Sequence, residues 1–191
     1  MNKQQEVIVR QAQVADIDKI LEIIAFAKSD FASRGIDQWQ NGNPNKNDIV
    51  KDVADGVGWV IANDCQKGAL QAPVICAYAM LSCETEPAYE VVHGGGQWGD
   101  LQEPDAKRGM PYATIHRVAV AQNARGCGYA KKIIAQCEQV TKKKGIPWLR
   151  IDTHQDNVAM QGVIKSCGFV FVGTVVLEDG SSRLAYQKRI A

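Results

Sequence analysis

A mixed α/β sheet with helices on its faces is the fold class this sequence predicts. The coarse order is β-α-α-β-β-β-α-β-α-β-β: consecutive strands lead up to Tyr112–Val120, and a β-α-β-α-β alternation runs on from there. Glycine turn signals punctuate both parts. The chain has 191 residues, 46% of them hydrophobic and 23% charged, which is the profile of one globular domain with a core of its own.

The elements follow in order. Val7–Arg10 is a β-branched run and reads as the first strand. Ile17, Ile20, Leu21, Ile24 and Phe31 recur at helical spacing across Ala15–Ser33, and Gly35 is the stop. A loop from Gly35 to Pro44 carries Asp37 and Trp39. A second helix is expected over Asn47–Ala54, capped by Asn47 and ended by Gly56. Gly58–Asn63 and Pro73–Cys83 read as strands around a polar loop at 64–68. Glu84–Pro111, with Gly94, Gly95, Gly96, Gly99 and Gly109, is a long excursion between strands. Tyr112–Val120 is a strong strand. In the helix Tyr129–Lys144, Ala130, Ile133, Ile134, Cys137 and Val140 form one apolar face and Lys142–Lys144 complement the negative end of the dipole. Trp148–Thr153 is the next strand, to be paired parallel with the 112–120 strand. A helix with Met160, Val163, Ile164 and Cys167 inward stops at Gly168. Phe169–Leu177 and Leu184–Lys188 make a hairpin around Asp179-Gly180. The count is seven strands and four helices, with no repeat and no linker, so residues 1–191 are expected to form a single domain.

Composition excludes several functions. The formal net charge is +1, without the cationic excess of a nucleic-acid binder. No apolar run approaches the roughly 18 residues of a membrane span. Met1–Glu6 is polar and lacks a secretory signal, so a cytoplasmic location is expected. Cys65, Cys76, Cys83, Cys127, Cys137 and Cys167 are scattered and read as buried, reduced thiols, with neither a disulfide frame nor a zinc site. His93, His116 and His154 lack metal-ligand spacing, so no metal is expected. His93-Gly-Gly-Gly96 resembles a lipase oxyanion string, but no G-x-S-x-G elbow accompanies it and it reads as loop.

The chemistry concentrates where the strand Val118-Ala-Val120 runs into Arg125-Gly-Cys-Gly-Tyr-Ala130 and the best helix of the chain. A helix N-terminus offers unpaired N–H groups and partial positive charge, and glycines let an anion approach that backbone closely. A plain tight turn is the competing reading. The P-loop string G-x-x-x-x-G-K-[ST] does not occur. A dinucleotide fingerprint is met by Gly126 and Gly128 but not by Lys131. Asp152 stands where a ribose-binding acid would, yet too little chain follows it for a second half-fold. The third pattern, R-x-x-G-x-A, is met by Arg125, Gly128 and Ala130. One helix and one strand later stands N-x-x-M with a following Gly-Phe, at Asn157, Met160 and Gly168-Phe169.

With these two motifs in this order the chain resembles the GNAT superfamily of acyl-CoA-dependent N-acyltransferases. Gly35-Ile-Asp-Gln-Trp-Gln40, Ile115-His-Arg117 and Ile151-Asp-Thr-His154 are similar to a bacterial branch of it. The resemblance implies a mostly antiparallel, twisted sheet of about seven strands, split at its central strands near 117–119, with acyl-CoA in the split. It implies backbone N–H groups of Arg125, Gly126, Cys127, Gly128, Tyr129 and Ala130 on the pyrophosphate. The amides of Val118 and Val120 would meet the pantetheine arm, Val118 N–H would polarise the thioester carbonyl, and Asn157 would reach the pantetheine. Acetyl-CoA is the implied co-substrate and a primary amine of a small molecule or peptide the implied acceptor.

Amine acylation needs a base for the amine and a proton for the leaving thiolate. His116, on the strand beside the implied carbonyl site, is the candidate base, with a buried core histidine as the alternative. The family's usual acid, a tyrosine midway along the fourth helix, aligns with Ile164 here. An acyl-CoA-binding or regulatory module with little turnover is therefore the second function to weigh. Trp39, Asp37, Tyr89 and His154 are candidate acceptor contacts. Their plainer roles are packing for the aromatics, and capping or solvation for Asp37 and His154. Asp152 is expected to cap the next helix. The 84–111 excursion would cover the acceptor site or pair with a second copy in a homodimer.

Overall fold

The computed structural model describes residues 7–63, 74–99 and 111–190. The Met1–Glu6 segment, the polar 64–68 loop with Cys65, and residues 100–110 of the excursion lie outside the described residues. Strands β1 (Val7–Gln11), β2 (Gly58–Asn63), β3 (Val74–Ser82), β4 (Tyr112–Val120), β5 (Trp148–Thr153), β6 (Val170–Val176) and β7 (Ser182–Arg189) alternate with helices α1 (Ile17–Ser33), α2 (Lys46–Ala54), α3 (Tyr129–Lys143) and α4 (Val158–Ser166). The strands form one open sheet in the order β1-β2-β3-β4-β5-β7-β6. β4 and β5 are parallel, whereas β1-β2, β2-β3, β5-β7 and β6-β7 are antiparallel. Most of the sheet is thus antiparallel, as the seven-strand, four-helix count and the resemblance together implied.

The chain divides into two compact units, Met1–Met80 with Arg117–Ile133, and Leu81–His116 with Ile134–Ala191. In the first, α1 buries Ile20, Ile23, Ile24, Ala27 and Phe31 against Val60, Ala62, Ile75, Tyr78 and Ala119. The buried stripe is shifted from the one the spacing predicts: Ile23 and Ala27 are inside, while Ile17 and Leu21 pack only at its margin. α2 begins one residue earlier than expected, and its cap is Asn45 rather than Asn47. The Asn45 side chain accepts the N–H groups of Asn47 and Asp48, and the Asp48 carboxylate accepts the Asn45 N–H. This reciprocal box satisfies donors that Asn47, itself inside the first turn, could not.

In the second unit the excursion is in part an ordered strap along β6, the last strand of the sheet. A sheet edge presents unpaired backbone groups that proteins cover. Here His93 exchanges both backbone hydrogen bonds with Thr174, at 2.8 and 3.0 Å. Gly96 lies so close to Val172 that a Cβ would stand 1.5 Å from its carbonyl oxygen. Gly99 N–H donates to the Gln187 side chain at 2.8 Å. Tyr89 stacks on Trp98, whose indole N–H donates to the Tyr89 carbonyl at 2.7 Å. The Arg150 guanidinium is sandwiched 4.0 Å from the Trp98 ring centre and 3.8 Å from that of Tyr112. The His93–Gly96 string is therefore a strand-edge cover.

The described cysteines are in no disulfide, but not all are buried. Cys76 and Cys137 are inside, Cys167 is half-buried, and Cys83 and Cys127 are exposed. Cys127 lies between the two glycines of the turn before α3, and Cys83 directly follows β3 among polar residues. No described helix is long and apolar enough to cross a membrane.

The strap makes a direct prediction. Gly96→Ala should lower the unfolding free energy by ~2 kcal/mol or more, because the clash is with backbone. Gly94→Ala, where a Cβ meets nothing within 4 Å, should cost only ~1 kcal/mol for its left-handed φ. Urea denaturation of the two variants checks the difference.

Candidate active site

The candidate segment begins in β4. Its parallel pairing with β5 runs from Tyr112–Trp148 to Ile115–Ile151. Two residues on, Arg117 takes φ +58°, left-handed in the middle of a strand. For a residue with a side chain that conformation costs ~1–2 kcal/mol, so the surroundings must impose it. They do so through Asp52 of α2. Both Asp52 oxygens accept from Arg117 Nη1 at 2.6 Å, and the Tyr78 hydroxyl donates to Asp52 Oδ2 at 2.6 Å. Asp48 adds a second carboxylate 3.9 Å from Arg117 Nη2. Asp52 is only 4% exposed, and a buried carboxylate is tolerable only when so paired. Burial first, and the Asp52 charge next, push the Tyr78 hydroxyl far above its ordinary value, so it stays a proton donor. After Arg117 come Val118, half-buried, and Val120. Ala121 N–H then donates to the Cys76 carbonyl of β3 at 2.9 Å.

The glycine turn follows. Gly126 and Gly128 both take φ +78°, which a side chain would strain. Lys132 N–H donates to the Gly128 carbonyl as α3 starts. Arg125, Gly126, Cys127 and Gly128 are all exposed, and Tyr129 and Ala130 are half-buried. A Cβ placed on Gly126 or Gly128 would meet nothing within 4 Å, so the backbone there is open to an approaching group. The Arg125 side chain is engaged within its own unit. It pairs with Asp30 of α1 at 3.0 and 3.1 Å and lies over the Phe26 ring at 4.6 Å. Asp30 also accepts from Arg34 at 2.7 Å. The turn is thereby fastened to α1 by its first residue.

In the second unit, Asn157 is the N-cap of α4, its side-chain oxygen accepting the Met160 N–H at 3.2 Å, and it is 6% exposed. His154 is local: its Nδ1 accepts the Asp156 N–H at 3.1 Å. Asp152 does not cap that helix. It accepts the Tyr89 hydroxyl at 2.5 Å, which the sequence could not foresee because the partner lies in the excursion. Burial, then the Asp152 charge, raises the Tyr89 hydroxyl well above its usual value. Tyr89 itself is 1% exposed and packed within the aromatic cluster.

His116 is half-buried. Its Nε2 stands 2.8 Å from Glu86 Oε1, and its ring meets Tyr89 edge-on. Glu86 is the residue that sequence reasoning missed. It precedes Pro87 in the excursion, with no spacing that ties it to His116. Ile164, where the family's tyrosine would fall, is completely buried. Trp39, half-buried with φ +66°, packs edge-on against Phe31, and Asp37 is exposed in the same loop. No group of three metal-ligating side chains occurs among the described residues.

The Arg125–Asp30 pair has a definite pH signature. Hydrogen bonds from Arg125, then the charges of Arg125 and Arg34, hold the Asp30 carboxyl below its usual value against a smaller desolvation effect. A lowered folded-state value stabilises the fold above the unfolded carboxylate range and is lost as pH falls through that lowered value. Thermal melts of Asp30→Asn should show a loss of no more than ~1 kcal/mol at neutral pH, since Arg125 is partly solvated. The gap from the unsubstituted protein should close below about pH 4.

Known proteins share this architecture. The family model described as the acetyltransferase (GNAT) family matches residues 56–169, which span both sequence motifs. A GNAT-family acetyltransferase from Streptococcus agalactiae is 31% identical, with a TM-score of 0.78 over 96% of this chain and 95% of that one. A GNAT-family acetyltransferase from Listeria monocytogenes is 18% identical, with a TM-score of 0.68 over 97% and 95%. A Salmonella typhimurium protein solved with its cofactor acetyl-CoA is 16% identical, with a TM-score of 0.63 over 97% and 94%. Comparison with curated proteins returns no match. A left-handed residue inside β4, a glycine turn opening α3 and a family match over more than half of the chain lead to one conclusion: the chain belongs to the GNAT acetyltransferase family.

Proposed function

We propose that this protein transfers an acetyl group from acetyl-CoA to a primary amine of a small molecule or peptide. The observation that carries the reading is the exposed turn at Gly126 and Gly128, with space above its backbone at the start of α3. Such a turn suits a pyrophosphate, because N–H groups and the helix dipole hold negative charge without a cationic side chain. Backbone N–H groups from Arg125 to Ala130 would hold the coenzyme there, with Val118, Val120 and Asn157 on its pantetheine arm. Family membership and the acetyl-CoA in the Salmonella typhimurium neighbour support the same co-substrate.

Acetyl-CoA, when bound, supplies the acetyl group as a thioester. In this reading the Val118 N–H stabilises negative charge on the thioester oxygen. His116 would take the proton of the acceptor amine as the N–C bond forms, while the C–S bond breaks and coenzyme A leaves as its thiolate. Glu86 holds the imidazole in place through its contact with Nε2. Asp37, exposed beside Trp39, is an acidic group suited to a cationic acceptor. The buried Ile164 favours one second reading, a module that binds acyl-CoA with little turnover, because that position offers no proton.

A thiol-release assay over amines and N-terminal peptides separates the two. Release with at least one amine is expected, whereas acetyl-CoA binding without release would favour the module. His116→Ala is expected to lower kcat at least ~10-fold with the KM for acetyl-CoA little changed, and Glu86→Gln to lower it less. Unchanged turnover in His116→Ala would remove the assigned base.

A further inference from the structure

The Asp52–Arg117–Tyr78 cluster is placed where it bears on the reaction. Its three side chains come from α2, β4 and β3, and it sits one residue before Val118. The φ of Arg117 sets the direction in which the next peptide N–H, that of Val118, points. A left-handed residue interrupts the regular alternation of peptide groups along a strand, and Arg117, at φ +58°, stands immediately before that N–H. Nothing intrinsic to arginine favours this conformation. The bidentate grip of Asp52 on Arg117 Nη1 supplies the preference, and the Tyr78 hydroxyl fixes the Asp52 carboxylate in turn. Tyr78 lies close over the Gly58 backbone: a Cβ there would stand 3.2 Å from its ring and 3.3 Å from its hydroxyl oxygen.

We propose that Asp52 and Tyr78 are positioning residues for acyl transfer, acting through Arg117 to aim the Val118 N–H at the thioester carbonyl. This rests on the acetyl-CoA reading given above. Asp52 and Tyr78 touch neither the coenzyme nor the acceptor; they act on the backbone that does. A peptide N–H aimed at a carbonyl discriminates acetyl-CoA from CoA, which lacks that oxygen. It should therefore contribute to affinity for the first and not for the second.

The test is a cycle of Asp52→Asn and Arg117→Gly, read by calorimetry with CoA and acetyl-CoA, by kcat and KM, and by thermal melts. Asp52→Asn should lower kcat at least ~10-fold and weaken acetyl-CoA at least ~3-fold relative to CoA, with CoA affinity unchanged. Glycine reaches φ near +60° without a clamp, so in the Arg117→Gly background Asp52→Asn should change kcat less than ~3-fold. Tyr78→Phe, which keeps the ring, should reproduce a smaller version and serves if Asp52→Asn does not fold. An Asp52→Asn or Tyr78→Phe loss confined to melting temperature overturns the proposal, as does the same kcat loss in both backgrounds. If the unsubstituted protein acetylates no amine, the function reading fails. The relative affinities for CoA and acetyl-CoA then decide the positioning role alone, and a ratio that neither substitution moves overturns it.

Discussion

Asp52 is a carboxylate removed from water, and a charge in that position has to be neutralised where it stands. One guanidinium and one phenol do so, and the guanidinium is carried by the residue at which β4 departs from strand geometry. The left-handed conformation at Arg117 is thus held by an ion pair to a buried carboxylate rather than by local preference. A charge left unpaired inside is costlier than the pair itself is stabilising. The pair accordingly acts as a specification: it selects one backbone path at Arg117 from those the chain could follow. Before that break the strand pairs with β5 through Ile115; after it, Ala121 bonds to β3.

Arg125 follows a similar logic at lower stakes. Its guanidinium is engaged by Asp30 and lies over Phe26, which ties the start of the glycine turn to α1. Two arginines within nine residues of one another are thus engaged with carboxylates of their own unit. In the acetyl-CoA reading, anion binding then falls to backbone N–H groups. That agrees with a formal net charge of only +1, since no cationic excess is needed.

In the second unit an aromatic and cationic stack organises the excursion. Trp98, Arg150 and Tyr112 form layers, and Tyr89 joins them while its hydroxyl reaches Asp152. The same strap that covers the β6 edge carries Glu86 to His116. Structural cover and the carboxylate that meets His116 thus come from one segment.

By itself the sequence determined the element order, the strand–turn–helix at Val118–Ala130 and the cap-bearing Asn157 motif, because these depend on local periodicity and on glycine at fixed offsets. It could not determine that Asn45 caps α2, since three asparagines in that turn compete and only the folded backbone selects the extended one. Nor could it pair Glu86 with His116, Tyr89 with Asp152, or Asp52 with Arg117. Those partners are 30, 63 and 65 residues apart, and no pattern of spacing encodes contacts at such separations. Tertiary structure decided them, because a buried charge or hydroxyl accepts whichever partner the packed elements bring within hydrogen-bond reach.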